Sequence, residues 1–399
     1  MPLTAHVLTP YLWETADLLR DAEPELWAFF RSARDMLLPD ELRAQLLEQT
    51  YRLDAQEHPD LYELLAGVAE AVGVEAPVTL YQAQGLQLSD DNGNAQCLSF
   101  PDEVHVVFSG RLLETLSGPR LAAVLGHELT HHVIGQADDG TLGVAERMLW
   151  SAAADGSAQP SHLESARRFQ LHVETTADRG ALVACEDLLA AVEALVSLTS
   201  GLSTVSGAAY LRQVAEVLDA PQRKASTTST HPEPYVRARA LQLWSERRDD
   251  VEQEVEALLR GAPDLDRLDL RDQVRLTDLT RRLVAQAVGP RWMATDAVLG
   301  HAKLFGVKAP AQTADPKLLA ACARAVRVEQ EYFAAVLLDL ATCDADLDDV
   351  ALAQTQVLAE AAGLTDAYDA LVAKELGLAV RTVRSKRAAA ADLVAKASS

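Results

Sequence analysis

Residues 121–132 read LAAVLGHELTHH, an apolar helical stretch that turns abruptly into a charged, histidine-bearing one. His127 and His131 are four apart, so a helix stacks them on one face, and Glu128 sits one residue round from the first. Two imidazoles at that spacing, with a carboxylate beside them, supply half of a tetrahedral zinc site and a base able to activate its water. The bare pattern also turns up in ordinary helices. Leu121, Val124 and Leu125 argue against that here. They mark the helix as buried, and a buried helix seldom carries His-Glu-His without a partner that offsets desolvation.

The surrounding chain, 399 residues long, has room for two or three domains and a sizeable core. Its 59 acidic residues outweigh 36 basic ones, for a formal charge of -23, which argues against a nucleic-acid-binding surface and for a strongly hydrated, soluble one. Cys97, Cys185, Cys322 and Cys343 have neither disulfide-framework nor CxxC spacing and read as free thiols of a reducing compartment. The N-terminus lacks a basic segment followed by an apolar core, and no run of 18 apolar residues occurs. A cytoplasmic location is the expectation.

Outward from the motif, helix and strand are mixed. Apolar periodicity predicts helices over 11–21, 25–48 with a break near Pro39-Asp40, and 59–72, followed by a strand at 78–84. DDNGN (90–94) is a turn signal, and EVHVVF (103–108) a second strand. Beyond the motif, helix is expected over 142–153, from His162 through Leu198, over 208–218 and from Tyr235 to about Glu246. The fold class is therefore α+β, mostly helical, with a short sheet beside the zinc-bearing helix. Past residue 250 the chain stays helical and its chemistry thins out. DADLDD (344–349) has acids at alternate positions, as a calcium loop would. It lacks the sixth-position glycine and has Thr355 where the twelfth-position acid belongs, so it reads as a solvated turn with helix-capping acids.

A catalytic zinc needs a third protein ligand from another element and one open position. Glu174, in HVETTADRG, is the best candidate. Asp178, one turn on, shares its face and is placed to accept the second ring N–H of a ligand histidine, most plausibly His127, which locks the tautomer. That helix is otherwise apolar around Ala177, Ala181 and Leu182, so two inward acids would be costly without a metal and imidazoles as partners. His132 points about 100° away from the ligand face, and His172 cannot share a face with Glu174. Both read as structural.

LAAVLGHELTHH followed by ETTADRGAL resembles the M48 metallopeptidases, the Ste24/HtpX-like zinc-dependent endopeptidases. LYELLAGVAEAVGVEAPVTLY and NAQCLSFPDEVHVVFSGRLLETL resemble that family's lead-in helix and strand and its Asn-Ala turn and edge strand, and THPEPYVRARAL its closing His-Pro motif. The resemblance implies a zincin-like domain with one zinc on His127, His131 and Glu174, and Glu128 as general base. It implies that His231 helps to hold the oxyanion, and that Arg237 pairs with buried acids near the metal or holds the loop. Asn94 and Ala95 would lie near the cleft, and the strand around 104–108 would pair with an extended substrate. The substrate implied is a protein or peptide. The best-known members are integral membrane proteins, and this chain departs from them in having no spanning segment.

The resemblance covers roughly residues 60–245. The expected organisation is an N-terminal helical extension (1–58), an M48-like metallopeptidase domain (59–248) and a separate all-helical C-terminal region (249–399), with a possible division near 310–316. The acidic turn at 344–349 resembles TerB-like domains on that feature alone, and no fold is assigned from it. Two rival readings stand beside the enzyme. One is a zinc-binding scaffold whose C-terminal helices recruit a protein partner. The other is a latent peptidase autoinhibited by its terminal helices.

Overall fold

The computed structural model describes residues 7–33, 39–83, 95–100, 102–220, 231–261, 264–311 and 313–399. The chain divides into two compact units, Met1–Ala262 and Pro263–Ser399. The architecture is mostly helical, with one small mixed sheet early in the chain and an extended helical C-terminal region.

In the first unit, helices α1 (Pro10–Ala22), α2 (Pro24–Ala33) and α3 (Pro39–Gln49) lead to a two-residue strand β1 (Tyr51–Arg52) and helix α4 (Pro59–Val72). Strands β2 (Val78–Ala83), β3 (Ala95–Ser99) and β4 (Val104–Ser109) follow, then a single turn α5 (Leu112–Thr115). The long helices are α6 (Gly118–Ala154) and α7 (Pro160–Cys185), succeeded by α8 (Leu188–Ser200), α9 (Gly207–Asp219), α10 (Pro234–Ser245) and α11 (Val251–Arg260). The turn expected at 90–94 lies outside the described residues. The single run expected from His162 through Leu198 is two helices, parted where Glu186 takes a left-handed φ of 53° and Asp187 caps α8 by accepting from the Leu189 and Ala190 amides.

The sheet runs β1-β2-β4-β3. β2 and β4 are parallel, in register from Val78↔Val104 to Ala83↔Ser109, and β3 lies antiparallel to β4 with Cys97 opposite Val106. Alternation along β4 decides what each face meets. Val104, Val106 and Phe108 join Leu80 in the core beneath α4 and α6, while Val107 turns the other way with Tyr81 and Ala83 onto Leu46 of α3. The strand at 104–108 cannot pair with a substrate, because β2 and β3 already occupy both of its edges; the edge strands are β1 and β3.

The core around α6 gathers Val124, Leu125 and Leu129 with Leu65 and Val68 of α4, Val192 and Leu195 of α8, and Leu241 of α10. Each such side chain contributes roughly 1.5–3 kcal/mol on burial. Backbone geometry departs from helical at Ala137–Gly140, where Asp138, Asp139 and Gly140 all have positive φ. Thr141 holds this break by donating to the Asp138 carbonyl at 2.8 Å. The half of α6 before the break carries the motif. The half after it packs Leu142, Met148 and Leu149 with Leu12, Trp27 and Phe169.

Glycines let α6 and α7 approach closely enough to share a site. A Cβ on Gly126 would lie 2.4 Å from the Cβ of Ala184 and 2.8 Å from the Gly180 carbonyl. A Cβ on Gly180 would lie 1.8 Å from Oγ1 of Thr130. No larger residue fits without prising the helices apart.

The second unit comprises α12 (Leu270–Ala287), α13 (Asp296–Leu304), α14 (Pro316–Ala323), α15 (Arg327–Thr342), α16 (Asp348–Ala361), α17 (Thr365–Glu375) and α18 (Val380–Ala397). Its core joins Leu283 and Val298 to Phe333, Leu337, Leu358, Tyr368 and Val383. The hydroxyls of Tyr368 and Thr355 meet at 2.6 Å inside it. At the acidic turn, Asp344 accepts from the Asp346 amide and from the Thr295 hydroxyl at 2.6 Å, which is what a capping acid does.

Candidate metal centre

Three elements converge on one point. From α6 come His127 and His131, whose Nε2 atoms are 3.2 Å apart with the rings nearly perpendicular, at 82°. Glu174 enters from α7, with Oε2 at 3.5 Å from Nε2 of His127 and Oε1 at 3.7 Å from Nε2 of His131. One ligand atom from each of the three lies within 4.8 Å of the others. His231, on the segment leading into α10, brings its Nε2 to 3.5 Å from Glu174 Oε2.

The donor set fits a metal. Glu174 is 1% exposed, yet its Oε2 has no hydrogen-bond partner among the described residues; its nearest nitrogens stand at 3.5 Å, beyond good geometry. A buried carboxylate oxygen left in this state costs about 1–3 kcal/mol or more. Two imidazole nitrogens and one carboxylate oxygen around a common point make the ligand chemistry of zinc. Gln170, one turn earlier on α7, donates to Oε1 at 3.3 Å and fixes the carboxylate's other end.

Behind His127 lies a second set of contacts. Its Nδ1 is 3.1 Å from Oδ1 of Asp178, which orients the ring so that Nε2 faces the cluster. Arg237 of α10 grips the same aspartate through two hydrogen bonds, Nε to Oδ2 at 2.8 Å and Nη2 to Oδ1 at 2.6 Å. This bidentate pair is the strong form of the interaction. The electrostatics follow from burial and neighbours. Burial works to lower the pKa of His127, but its bond to Asp178 and then the nearby Glu174 carboxylate prevail and raise it to about 10. Burial dominates at His131 and takes it down to about 4. For Glu174, burial is outweighed by the neighbouring His127, His131 and Arg237, which hold it well below the usual range.

Glu128 is buried beside the cluster, and burial raises its pKa, partly countered by the His127 charge and by the Cys97 amide of β3. A cavity of about 490 Å³ opens onto this point. His127, Glu128, Asp178, His231 and Arg237 line it, and so does Ala95. Asn94, expected near the cleft, falls outside the described residues.

Two other histidines have structural partners. The Nδ1 of His132 is 2.7 Å from Oγ of Ser99, which ties edge strand β3 to α6. His172 faces the opposite side of α7, stacked on Tyr11 at 4.1 Å and 3.0 Å from Glu256 of α11. On that same side Arg179 donates to the Val7 carbonyl at 3.1 Å and to Glu252 at 3.0 Å. Sequence reasoning missed Gln170 and the wall that α8 contributes to the cavity. Gln170 had a legible signal, since it stands four residues before Glu174 and shares its helical face. The α8 wall had none beyond an ordinary apolar stripe.

Comparison with known proteins follows the same residues. Residues 55–245 match the model of peptidase family M48. The plastoglobule-localized metallopeptidase 48, chloroplastic, of Arabidopsis thaliana is 30% identical over 204 residues, covering 47% of this chain and 57% of the relative. The chain thus spans little more than half the length of that relative. No solved structure matches. The relative overturns the cytoplasmic location expected from the cysteines, because its name sets it at plastoglobules and in the chloroplast. Free thiols indicate a reducing environment, and that is not one compartment. No helix among the described residues is long and apolar enough to cross a membrane.

Proposed function

We propose that this chain, whose residues 55–245 match the model of peptidase family M48, is a zinc-dependent endopeptidase of the Ste24/HtpX-like kind, with one zinc on His127, His131 and Glu174. A bound zinc would supply Lewis acidity, which lowers the pKa of a water and polarises a carbonyl. The chain's own groups do the rest. Glu128 takes the proton from the attacking water and returns it to the leaving amine, and its burial-raised pKa brings it nearer the working pH. His231 donates a hydrogen bond to the carbonyl oxygen as negative charge gathers there. Asp178 and Arg237 hold the ring of His127. The substrate in this reading is an extended stretch of protein or peptide, with β3 as an edge strand available to pair with it.

One observation carries this reading. Three metal-binding side chains from two helices meet within 4.8 Å, and Glu128 faces the same cavity. The test is Glu128→Gln, assayed for zinc by elemental analysis and for cleavage of casein. Zinc should stay at one per chain while turnover falls by about 10²-fold or more, the usual worth of a general base. A Glu128→Gln protein that cleaves at the normal rate rejects the proposal.

A further inference from the structure

The cavity that Glu128 faces holds acceptors in want of a donor. Glu233, the residue before α10, lines it half-buried. Its Oε2 is shut away from water and has no hydrogen-bond partner among the described residues. The side chain does not cap α10 either. A carboxylate oxygen in that state lacks the donor that would offset its desolvation. Thr199 of α8 lines the same cavity, and its hydroxyl already donates to the backbone, with the Leu195 carbonyl at 3.0 Å and the Val196 carbonyl at 3.2 Å. What its Oγ1 can still offer is lone pairs. Thr199 also stands in the last turn of α8, where the helix dipole favours a positive charge. Arg237 on the lining does not answer these acceptors, because two hydrogen bonds commit it to Asp178.

We infer that Glu233 selects a lysine or arginine side chain on the substrate residue that supplies the leaving amine. The inference rests on the peptidase reading and names the substrate class of the same site. Ala191, Ala194, Leu195 and Leu198 of α8 give the cavity an apolar wall, which suits the methylene stem of such a side chain. The cationic head then meets the Glu233 carboxylate and Thr199 Oγ1, a charge-assisted contact. The terminal torsion of a glutamate is broad, so either carboxylate oxygen can turn to that head. Thr199 is exposed, so the head keeps part of its water and the desolvation cost stays modest. Leu or Phe in the same place would cover the wall and leave Glu233 without a donor. The position in the substrate follows from Glu128, which borders this cavity and must reach the departing nitrogen to protonate it. The side chain on that nitrogen's own Cα is the one set down here.

Mapping the new N-termini of fragments cut from unfolded casein by the zinc-loaded full chain tests this. Lys and Arg should be enriched there over Leu and Phe. Glu233→Gln, which keeps the shape and removes the charge, should lower the ratio of kcat/KM for Lys over Leu about tenfold, the low end of what a hydrogen bond to a charged group is worth. Thr199→Val should lower the same ratio about threefold, and serves if the first variant fails to fold. A separate arm needs no turnover. Zinc-loaded Glu128→Gln protein is titrated with dansylated Ala-Lys-Ala amide, whose only charge is the lysine, and followed by fluorescence anisotropy. Adding Glu233→Gln should weaken binding about tenfold, whereas general attraction to an acidic protein would be nearly the same for both. Leu or Phe favoured over Lys and Arg at the new N-termini, or Lys-peptide binding unmoved by Glu233→Gln, overturns the inference. Glu233-dependent binding with no Glu128-dependent cleavage upholds the cation pocket and rejects the peptidase.

Discussion

Replacing Gly180 by Ala adds one methyl group where α6 and α7 touch. The new Cβ would fall 1.8 Å from Oγ1, 2.7 Å from Cβ and 3.0 Å from Cγ2 of Thr130, far inside contact distance. Thr130 cannot step aside cheaply. It is fully buried, its β-branched side chain is stiff, and its hydroxyl donates to the Gly126 carbonyl at 2.6 Å. The helices must therefore separate, at the upper end of the ~1–3 kcal/mol that overpacking costs. For a unit of this size, ~2–3 kcal/mol lowers the melting temperature by roughly 5–10 °C. The separation also carries Glu174 away from the histidines, and a metal site tolerates only about 0.2 Å of ligand displacement. Calorimetry of the zinc-free protein should show the drop in Tm, and competition with a fluorescent chelator should show zinc held at least about tenfold more weakly. Adding Thr130→Ala should recover part of both losses, because it removes Oγ1 and Cγ2 and leaves only the Cβ contact at 2.7 Å. If Gly180→Ala keeps its Tm and its zinc affinity, the close approach of α6 and α7 does not hold the site together.

Three more outcomes are expected. Asp178→Asn takes the charge from Arg237's partner and loosens His127, so zinc affinity should fall about 10–100-fold, the usual effect of losing a ligand's supporting contact; an unchanged chelator titration would refute that role. Glu146 is a half-buried acid raised to about 7, by desolvation first and the Glu174 charge second. Because its folded pKa lies above the unfolded one, stability is greatest at low pH, declines from about pH 4.5 to 7 and levels off above that. The loss is at most roughly 3 kcal/mol, and less because the residue keeps some contact with water. With chelator present, Glu146→Gln should flatten this slope in urea titrations, and a slope that persists assigns it elsewhere. In the second unit, Tyr368→Phe removes the hydroxyl paired with Thr355 and should cost about 1 kcal/mol, read as a lower urea midpoint for that unit's transition.

How much of this was legible in the sequence differs from residue to residue. His127 and His131 could be read because helical spacing is rigid: four residues apart means one face. Glu174 and Asp178 followed for the same reason, as two acids on one face of a helix that is otherwise apolar there. Arg237 emerged only through family resemblance, since nothing local distinguishes it from the other arginines, and its grip on Asp178 is a contact between distant helices. The strand at 104–108 was recognised but given the wrong place in the sheet. Alternation reveals that a segment is extended and which way its side chains point, and says nothing about who its neighbours are. The roles of Gly126 and Gly180 were hidden for a related cause, because a glycine's value lies in what comes near it.

One feature of α7 bears on how the molecule can be cut. Its front carries Glu174 and Asp178, while its back is clamped by Tyr11 and the Val7 carbonyl on one flank and by Glu252 and Glu256 on the other. Those anchors lie before residue 55 and after residue 245, outside the stretch that matches the family. A fragment trimmed to that stretch would strip the cover from Arg168, His172 and Arg179, all nearly inaccessible in the whole chain. The stretch that kinship outlines is smaller than the piece able to stand alone, and the ligand-bearing helix is where such a fragment would first come loose.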